Sequence, residues 1–245
     1  MQSARVSSKN IREGIVTISA KEEAHHLKNV LRIKLKEKVL VFDELGRQYL
    51  CLVEKLEPEL ILIVKEELKN KASGSQASLT IGCAIPKKSN MDDIIDKLTQ
   101  LGVNRIIPLE TERVIVKLDQ AKKKMRLERW KKIALNAAGQ SQRGELPEIT
   151  PIKGIKQVLE ESGKFDLRLI PHLFGQRKSL KQVISTSNAK NILVLIGPEG
   201  DFTPEEIKLA LKAGFIPLSL GDLVLRVETA ALAVASFIRF YAEND

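Results

Sequence analysis

Cysteine is nearly absent from this chain. Only Cys51 and Cys83 occur in 245 residues, and they form no C-x-x-C pair, so a disulfide framework or a cysteine zinc site lacks its ligands. Both thiols are expected to act as small buried apolar groups. Histidine is almost as scarce, with three in the chain. His25 and His26 are adjacent, and adjacent helical side chains point about 100° apart, so the pair cannot chelate one ion as an i, i+4 pair does. His172 stands far from both, without acidic or cysteine partners at ligand spacing, and no metal site is expected. Long apolar runs are missing as well. Stretches such as Ala230 to Ile238 fall far short of the ~20 residues that span a bilayer, and the polar N-terminus has no secretory apolar core. A cytoplasmic protein with no membrane partner is the expectation. G-x-G-x-x-G, G-x-x-x-x-G-K-[ST] and G-x-S-x-G are absent too, which excludes the dinucleotide fingerprint, the phosphate loop and the hydrolase elbow.

What the chain has is positive charge, unevenly placed. The net charge is +9, and the excess is greatest in the middle third, where Lys117 to Lys132 holds eight basic residues against Asp119 and Glu128. Such a run is either a solvated helix face or a phosphate-binding surface, and together with the basic pI it favours a nucleic-acid partner. The polar stretch over residues 69–78 resembles an interdomain linker. Before it, alternating or β-branched runs at Gly14 to Ile18, Lys38 to Phe42, Gln48 to Val53 and Leu60 to Val64 predict a small β-rich domain over residues 1–72. One helix interrupts them over Lys21 to Arg32, behind the capping candidate Ser19, with Ala24, Leu27 and Leu31 on its apolar face.

After the linker, strands and helices alternate. Strands are predicted at Leu79 to Ala84, Arg105 to Leu109, Asp166 to Ile170, Ile192 to Ile196 and Phe215 to Leu220. Helices are predicted at Met91 to Leu101, Gln120 to Ala138, Ile152 to Leu159, Ser179 to Ile184, Pro204 to Ala213 and Ala230 to Tyr241. This order means a largely parallel sheet covered by helices in an α/β domain over residues 73–245, with ligands at the carboxyl ends of its strands. Two strand ends carry glycine loops there. Gly197-Pro-Glu-Gly200 exposes backbone donors and acceptors suited to a flat polar heterocycle and its ribose. Near Gly221, the segment Leu225-Arg-Val-Glu-Thr-Ala230 places Arg226 as the sole cation before the last helix, with Glu228 and Thr229 where that helix takes its N-terminal caps. Taken singly, each loop also fits an ordinary structural connection, and Thr203-Pro-Glu-Glu206 is a standard capping box with proline at the first helical position.

Six segments in order carry a family resemblance over essentially the whole chain. They are His25-His-Leu-Lys-Asn-Val-Leu-Arg32, Lys88 to Val103, Thr111-Glu-Arg113, Trp130 with Ala137-Ala-Gly-Gln-Ser-Gln-Arg143, Gly197-Pro-Glu-Gly200 and Leu225-Arg-Val-Glu-Thr-Ala230. On these the chain resembles the RsmE family of 16S ribosomal RNA uridine-N3 methyltransferases in the SPOUT superfamily. The resemblance implies a PUA-like β-barrel at the N-terminus and a C-terminal α/β trefoil-knot methyltransferase domain. It also implies S-adenosylmethionine as cofactor, 16S ribosomal RNA of the small subunit as substrate, and a homodimer. Carried onto this sequence, the cofactor residues are His172, Leu173 and Phe174; Ile196, Gly197, Pro198, Glu199 and Gly200; and Leu218, Leu220, Gly221, Leu225 and Thr229. The catalytic pair is Arg226, which stabilises charge on the uracil, and Glu228, which orients it or accepts the proton. RNA contacts are expected at Arg5, His25, His26, Arg32, Lys87, Lys88, Arg113 and Arg143, with Arg113 and Arg143 also candidates for internal ion pairs. A related knotted enzyme acting on transfer RNA or another base, and a non-catalytic RNA-binding or ribosome-assembly protein, are the alternatives. The chain departs from the family pattern at Asp201, Asn136 and Asp222, and at Asp201 a glycine is usual.

Overall fold

The structure, a computed structural model, describes residues 2–18, 24–30, 32–43, 47–68, 77–86, 90–114, 118–141 and 143–241, and the side chains of Arg5 and His26 are not part of that description. Most of the predicted linker and the cap Ser19 lie outside the described residues. The chain divides into two compact units, residues 1–74 with 138–146, and residues 75–137 with 147–245.

In the first unit, β1 (Gln2–Arg5), β2 (Ile11–Arg12), β3 (Ile15–Ile18), β4 (Lys38–Phe42), β5 (Gln48–Lys55) and β6 (Leu60–Leu68) form one sheet in the order β1-β4-β5-β6-β3-β2. β1 pairs parallel to β4, and the remaining pairs are antiparallel. Alternation explains the core. Tyr49, Cys51 and Val53 of β5 face inward, as do Leu60 and Leu62 of β6, and these pack with Val16, Val39 and Val41. Of the predicted helix, residues 24–30 are helical, with π-type pairing at His26–Val30, and Lys21 to Glu23 and Leu31 lie outside the described residues. Leu27 is buried as expected, and Ile33 just beyond joins it in the core. Cys51 is free and buried, and burial pushes its thiol pKa up to about 12.

The second unit is an α/β layer structure. β7 (Ser78–Ala84), β8 (Arg105–Glu110), β9 (Glu148–Ile149), β10 (Lys153–Gly154), β11 (Leu167–Pro171), β12 (Lys178–Ser179), β13 (Asn191–Ile196) and β14 (Ile216–Ser219) form an eight-stranded sheet in the order β10-β8-β7-β13-β11-β14-β12, with β9 added beside β8. Every pair in it is parallel. Ile192 to Ile196 are all buried, the continuous apolar run that a strand covered on both faces requires. At Gly82 of β7 a Cβ would meet Leu195 Cδ2 of β13 at 2.6 Å, so the sheet's centre closes because that position has no side chain.

The covering helices are α1 (Asn90–Gln100), α2 (Gln120–Gln140), α3 (Ile155–Glu160), α4 (Leu180–Ile184), α5 (Pro204–Lys212) and α6 (Val227–Tyr241). α3 starts three residues later than the periodicity predicts, because Lys153 and Gly154 extend the sheet against Leu109 and Glu110. Trp130 of α2 is buried and donates through Nε1 to Asp92 of α1 at 3.1 Å. The basic run on α2 is in part an ion-pair network: Lys122 meets Asp119, Lys123 meets Glu110, Arg129 meets Asp92 and Lys131 meets Glu128. Buried Arg239 of α6 donates to the carbonyls of Ala77 and Gly102 and to Asn104 Oδ1, fastening the last helix to the entries of β7 and β8. Among the described residues no helix is long and apolar enough to cross a membrane, and no group of three or more His, Cys, Asp or Glu is placed to hold a metal ion.

Candidate active site

Sheet order places the site. β13, β11 and β14 are neighbours and parallel, so their carboxyl ends leave the same edge, although 25 or more residues can separate them in sequence. The loops that follow, residues 172–177, 197–203 and 220–226, meet around an open crevice lined by all three. The first loop contributes Pro171, His172, Leu173 and Arg177, and the second contributes Ile196, Gly197, Pro198, Glu199 and Asp201. Leu220, Gly221, Leu223, Val224 and Leu225 close the third side, and Val227 and Ala230 of α6 form the floor.

The second loop is held rigidly. Asp201 N–H donates to the Pro198 carbonyl at 2.9 Å, closing a turn. A Cβ on Gly197 would come within 3.0 Å of the Phe202 ring, so the ring covers the glycine backbone directly. The following helix is capped as the sequence predicts. Thr203 Oγ1 accepts from Glu206 N–H at 3.2 Å, and Glu206 Oε2 accepts from Thr203 N–H at 2.9 Å. The Thr111-Glu-Arg113 segment braces this loop from below: Glu112 N–H donates to Glu206 Oε1 at 2.9 Å, and the Arg113 guanidinium donates to the Gly200 carbonyl. Arg113, expected at the RNA surface, is exposed and makes this bond to the glycine loop.

The third loop turns at Gly221, whose φ of +107° suits glycine, and Ser219 Oγ binds both its N–H and its carbonyl. The last helix starts at Val227, three residues before the expected Ala230. Arg226 takes the cap position instead, its carbonyl accepting from Ala230 N–H at 2.9 Å. Glu228 and Thr229 therefore lie in the first turn, where a carboxylate is favoured by the exposed N–H groups and helix dipole. The reason is that Val227 is apolar and buries against the core, which draws the helix back by a turn.

Of the residues expected at the cofactor, His172, Leu173, Ile196, Gly197, Pro198, Glu199, Leu220, Gly221 and Leu225 share the crevice wall. Phe174, Gly200, Leu218 and Thr229 do not: Phe174, Gly200 and Thr229 are exposed, and Leu218 is fully buried with its carbonyl accepting from His172 N–H. Arg226 and Glu228 flank the wall without lining it. Arg226 is exposed and forms no ion pair among the described residues, and Glu228 is half-buried. The Cys83 thiol is held above its ordinary range by burial first, then by the charges of Glu228 and Glu199, so acids from α6 and the second loop act at the end of β7. Arg177, Asp201, Val227 and Ala230 were not expected in the wall. Their signal is adjacency in space, which no motif spacing carries. In the first unit His25 and Arg32 are exposed. Arg143 is half-buried, and Lys87 and Lys88 lie outside the described residues, as do the side chains of Arg5 and His26.

The wall fits a nucleoside-type cofactor. It offers apolar surface for a flat ring, backbone groups at two glycines, carboxylates for hydroxyls or a positive centre, and Arg177 for an anionic end. His172 Nε2 is buried in the same wall and has no hydrogen-bond partner among the described residues, while its Nδ1 accepts from Phe174 N–H at 3.4 Å. Burial foremost lowers the His172 pKa, Asp201 opposes that shift and Arg177 adds to it.

Comparison with known proteins agrees with this layout. Residues 73–239 match the family model of the RNA methyltransferase domain, and residues 18–66 match that of the RNA methyltransferase PUA domain. Ribosomal RNA small subunit methyltransferase E of Synechocystis is 32% identical, over 98% of this chain and 77% of that protein, and the Bacillus subtilis protein of the same name is 29% identical over 91% and 89%. The crystal structure of ribosomal RNA small subunit methyltransferase E from Neisseria gonorrhoeae, bound to S-adenosyl methionine, superposes with a TM-score of 0.83 at 28% identity, covering 98% of each chain. The chain therefore belongs to the RNA methyltransferase family that couples a PUA domain at the N-terminus to an α/β methyltransferase domain, the family of ribosomal RNA small subunit methyltransferase E.

Proposed function

We propose that this protein uses S-adenosylmethionine to methylate N3 of a uridine in the 16S ribosomal RNA of the small subunit. The observation that carries this is the crevice itself: three loops from neighbouring parallel strands converge beside Arg226 and Glu228 in a chain that matches, along nearly its whole length, relatives named ribosomal RNA small subunit methyltransferase E. The bound cofactor supplies a methyl group on a sulfonium, and its displacement depends chiefly on alignment of donor and acceptor.

The chain's own residues do the rest. Uridine N3 is protonated at neutral pH, so negative charge spreads onto the flanking carbonyl oxygens as that proton leaves. The Arg226 guanidinium, permanently charged and planar, is placed at the crevice edge to stabilise that charge. With the substrate bound, Glu228, two residues on, orients Arg226 or takes the N3 proton. S-adenosylmethionine held by the crevice loops would supply the methyl group to N3 and would itself be left as a neutral thioether.

Other features support the substrate. Exposed Arg32 and His25 in the first unit, and Lys124 and Lys132 on α2, which form no ion pairs among the described residues, supply phosphate contacts. The family's β-barrel and trefoil knot, with domains at 1–72 and 73–245, belong to the same proposal, supported by the β13-β11-β14 order. A homodimer is supported by exposed apolar residues at the crevice mouth, where Leu223 is 78% and Val224 72% accessible. A cytoplasmic location follows from a ribosomal substrate. The test is to incubate the protein with S-adenosylmethionine and unmodified small subunits, digest the RNA and identify methylated nucleosides by mass spectrometry. N3-methyluridine in the 3′ part of 16S RNA is expected. A different methylated base would reassign the target, and cofactor binding without any product would refute this substrate.

A further inference from the structure

Asp201 has the left-handed backbone that L residues adopt at a cost, with φ at +60°. The turn does not need an acid there to start α5, because Thr203 and Glu206 already form a complete capping box. Yet both carboxylate oxygens are used. Oδ1 accepts from Phe202 N–H at 2.8 Å within its own turn. Oδ2 accepts from Leu173 N–H at 2.9 Å, reaching a loop 28 residues earlier.

That second bond matters because little else secures the loop's tip. Phe174 is 74% and Leu173 38% accessible, so apolar burial contributes little there. Beyond that bond, His172 N–H donates to Leu218 O at 3.3 Å, Arg177 donates to His172 O at 2.9 Å, and Phe174 N–H makes a long bond of 3.4 Å to His172 Nδ1 within the loop itself. Asp201 and His172 also stand together as the partition between the crevice and an apolar groove beyond it, formed with Phe174, Ile207 and Leu211.

We propose that Asp201 is a positioning residue that latches the 172–174 loop to the 197–201 loop, and thereby sets the crevice's width and the placement of His172 for the cofactor. The inference rests on the cofactor reading above. Without the carboxylate, the first wall samples open positions and the cofactor has to order it on binding, which weakens affinity more than it slows the chemical step. The charge of Asp201 also acts on the imidazole, against burial and Arg177.

The test compares wild type with Asp201→Gly, which removes the latch and the backbone strain together, and with Asp201→Asn, which keeps one acceptor oxygen and tolerates the same backbone. The readouts are S-adenosylmethionine affinity by calorimetry, KM and kcat, thermal stability, and the His172 titration by NMR. Asp201→Gly is expected to melt no lower than wild type while binding the cofactor about tenfold more weakly, as loss of one charge-assisted bond predicts. Its KM should rise much more than its kcat falls, and Asp201→Asn should lie between the two. Loss of the charge in both variants should move the His172 titration to lower pH. Wild-type affinity in a folded Asp201→Gly protein, or an unmoved His172 titration, would overturn the proposal. Failure of the wild-type protein itself to bind S-adenosylmethionine would instead overturn the cofactor reading.

Discussion

Arg226 and Glu228 are two residues apart, yet they do different things locally: one closes the helix through its carbonyl, and the other sits in the first turn. Their chemistry separates them further. Arg226→Ala is expected to lower kcat by about a hundredfold or more, the scale of a lost electrostatic stabiliser, while cofactor affinity by calorimetry changes little. Glu228→Gln distinguishes its two roles. Replacing a carboxylate that accepts the proton leaves a large defect that shrinks as rising pH ionises N3 unaided, whereas one that only orients Arg226 is largely rescued at every pH by the isosteric amide. A pH-rate profile of both variants decides this. The cysteines make a prediction of a different kind. Cys51 has its pKa raised to about 12 by burial, so its contribution to stability is complete below the unfolded-state value near 8.5 and is lost as pH climbs toward 12. Denaturation of wild type and Cys51→Ala at pH 7 and pH 10.5 should show the gap between them narrowing at the higher pH. Both thiols should resist alkylation until the protein unfolds.

At the scale of elements, the glycine loop and α5 work as one braced unit. Their capping box was legible in Thr203-Pro-Glu-Glu206, but the brace was not, since Glu112 and Arg113 reach it from about 90 residues earlier in the chain. Thr203→Ala is expected to cost about 1 kcal/mol of stability from the cap alone, measured by denaturant unfolding. Glu206→Ala should cost more, because it also strands the buried N–H of Thr203 and the N–H of Glu112. The start of α6 shows the limit of local signals. Polar Glu228 and Thr229 resemble caps in the sequence, but burial of Val227 outweighs that preference and starts the helix earlier.

For the whole molecule, charge governs the partner more than the fold. The net charge of +9 and the unpaired lysines on α2 predict RNA binding that weakens steeply with salt, log Kd changing linearly with log salt concentration. Replacing Lys124 and Lys132 with glutamine should flatten that slope by about one to two, at roughly 0.7 to 0.9 per phosphate contact, with cofactor affinity unchanged. The same double substitution at Lys123 and Lys131, both already in ion pairs, should flatten it less.

Secondary structure and domain class were written in local patterns: β-branched alternation before the linker, and apolar runs alternating with amphipathic helices after it. Those patterns reflect burial of nearest neighbours, and they survive without knowledge of distant partners. The glycine loops and the Arg226–Glu228 turn were legible for the same reason, since strand ends and helix starts leave residue-type signatures. Which strands lie side by side was decided by tertiary structure. The order β13-β11-β14 brings His172, Asp201 and Gly221 to one crevice, and the folded chain brings the exposed Arg113 to the Gly200 carbonyl. Hydrogen bonds such as Asp201 to Leu173 depend on angles and distances between loops far apart in sequence, and a one-dimensional pattern does not encode those.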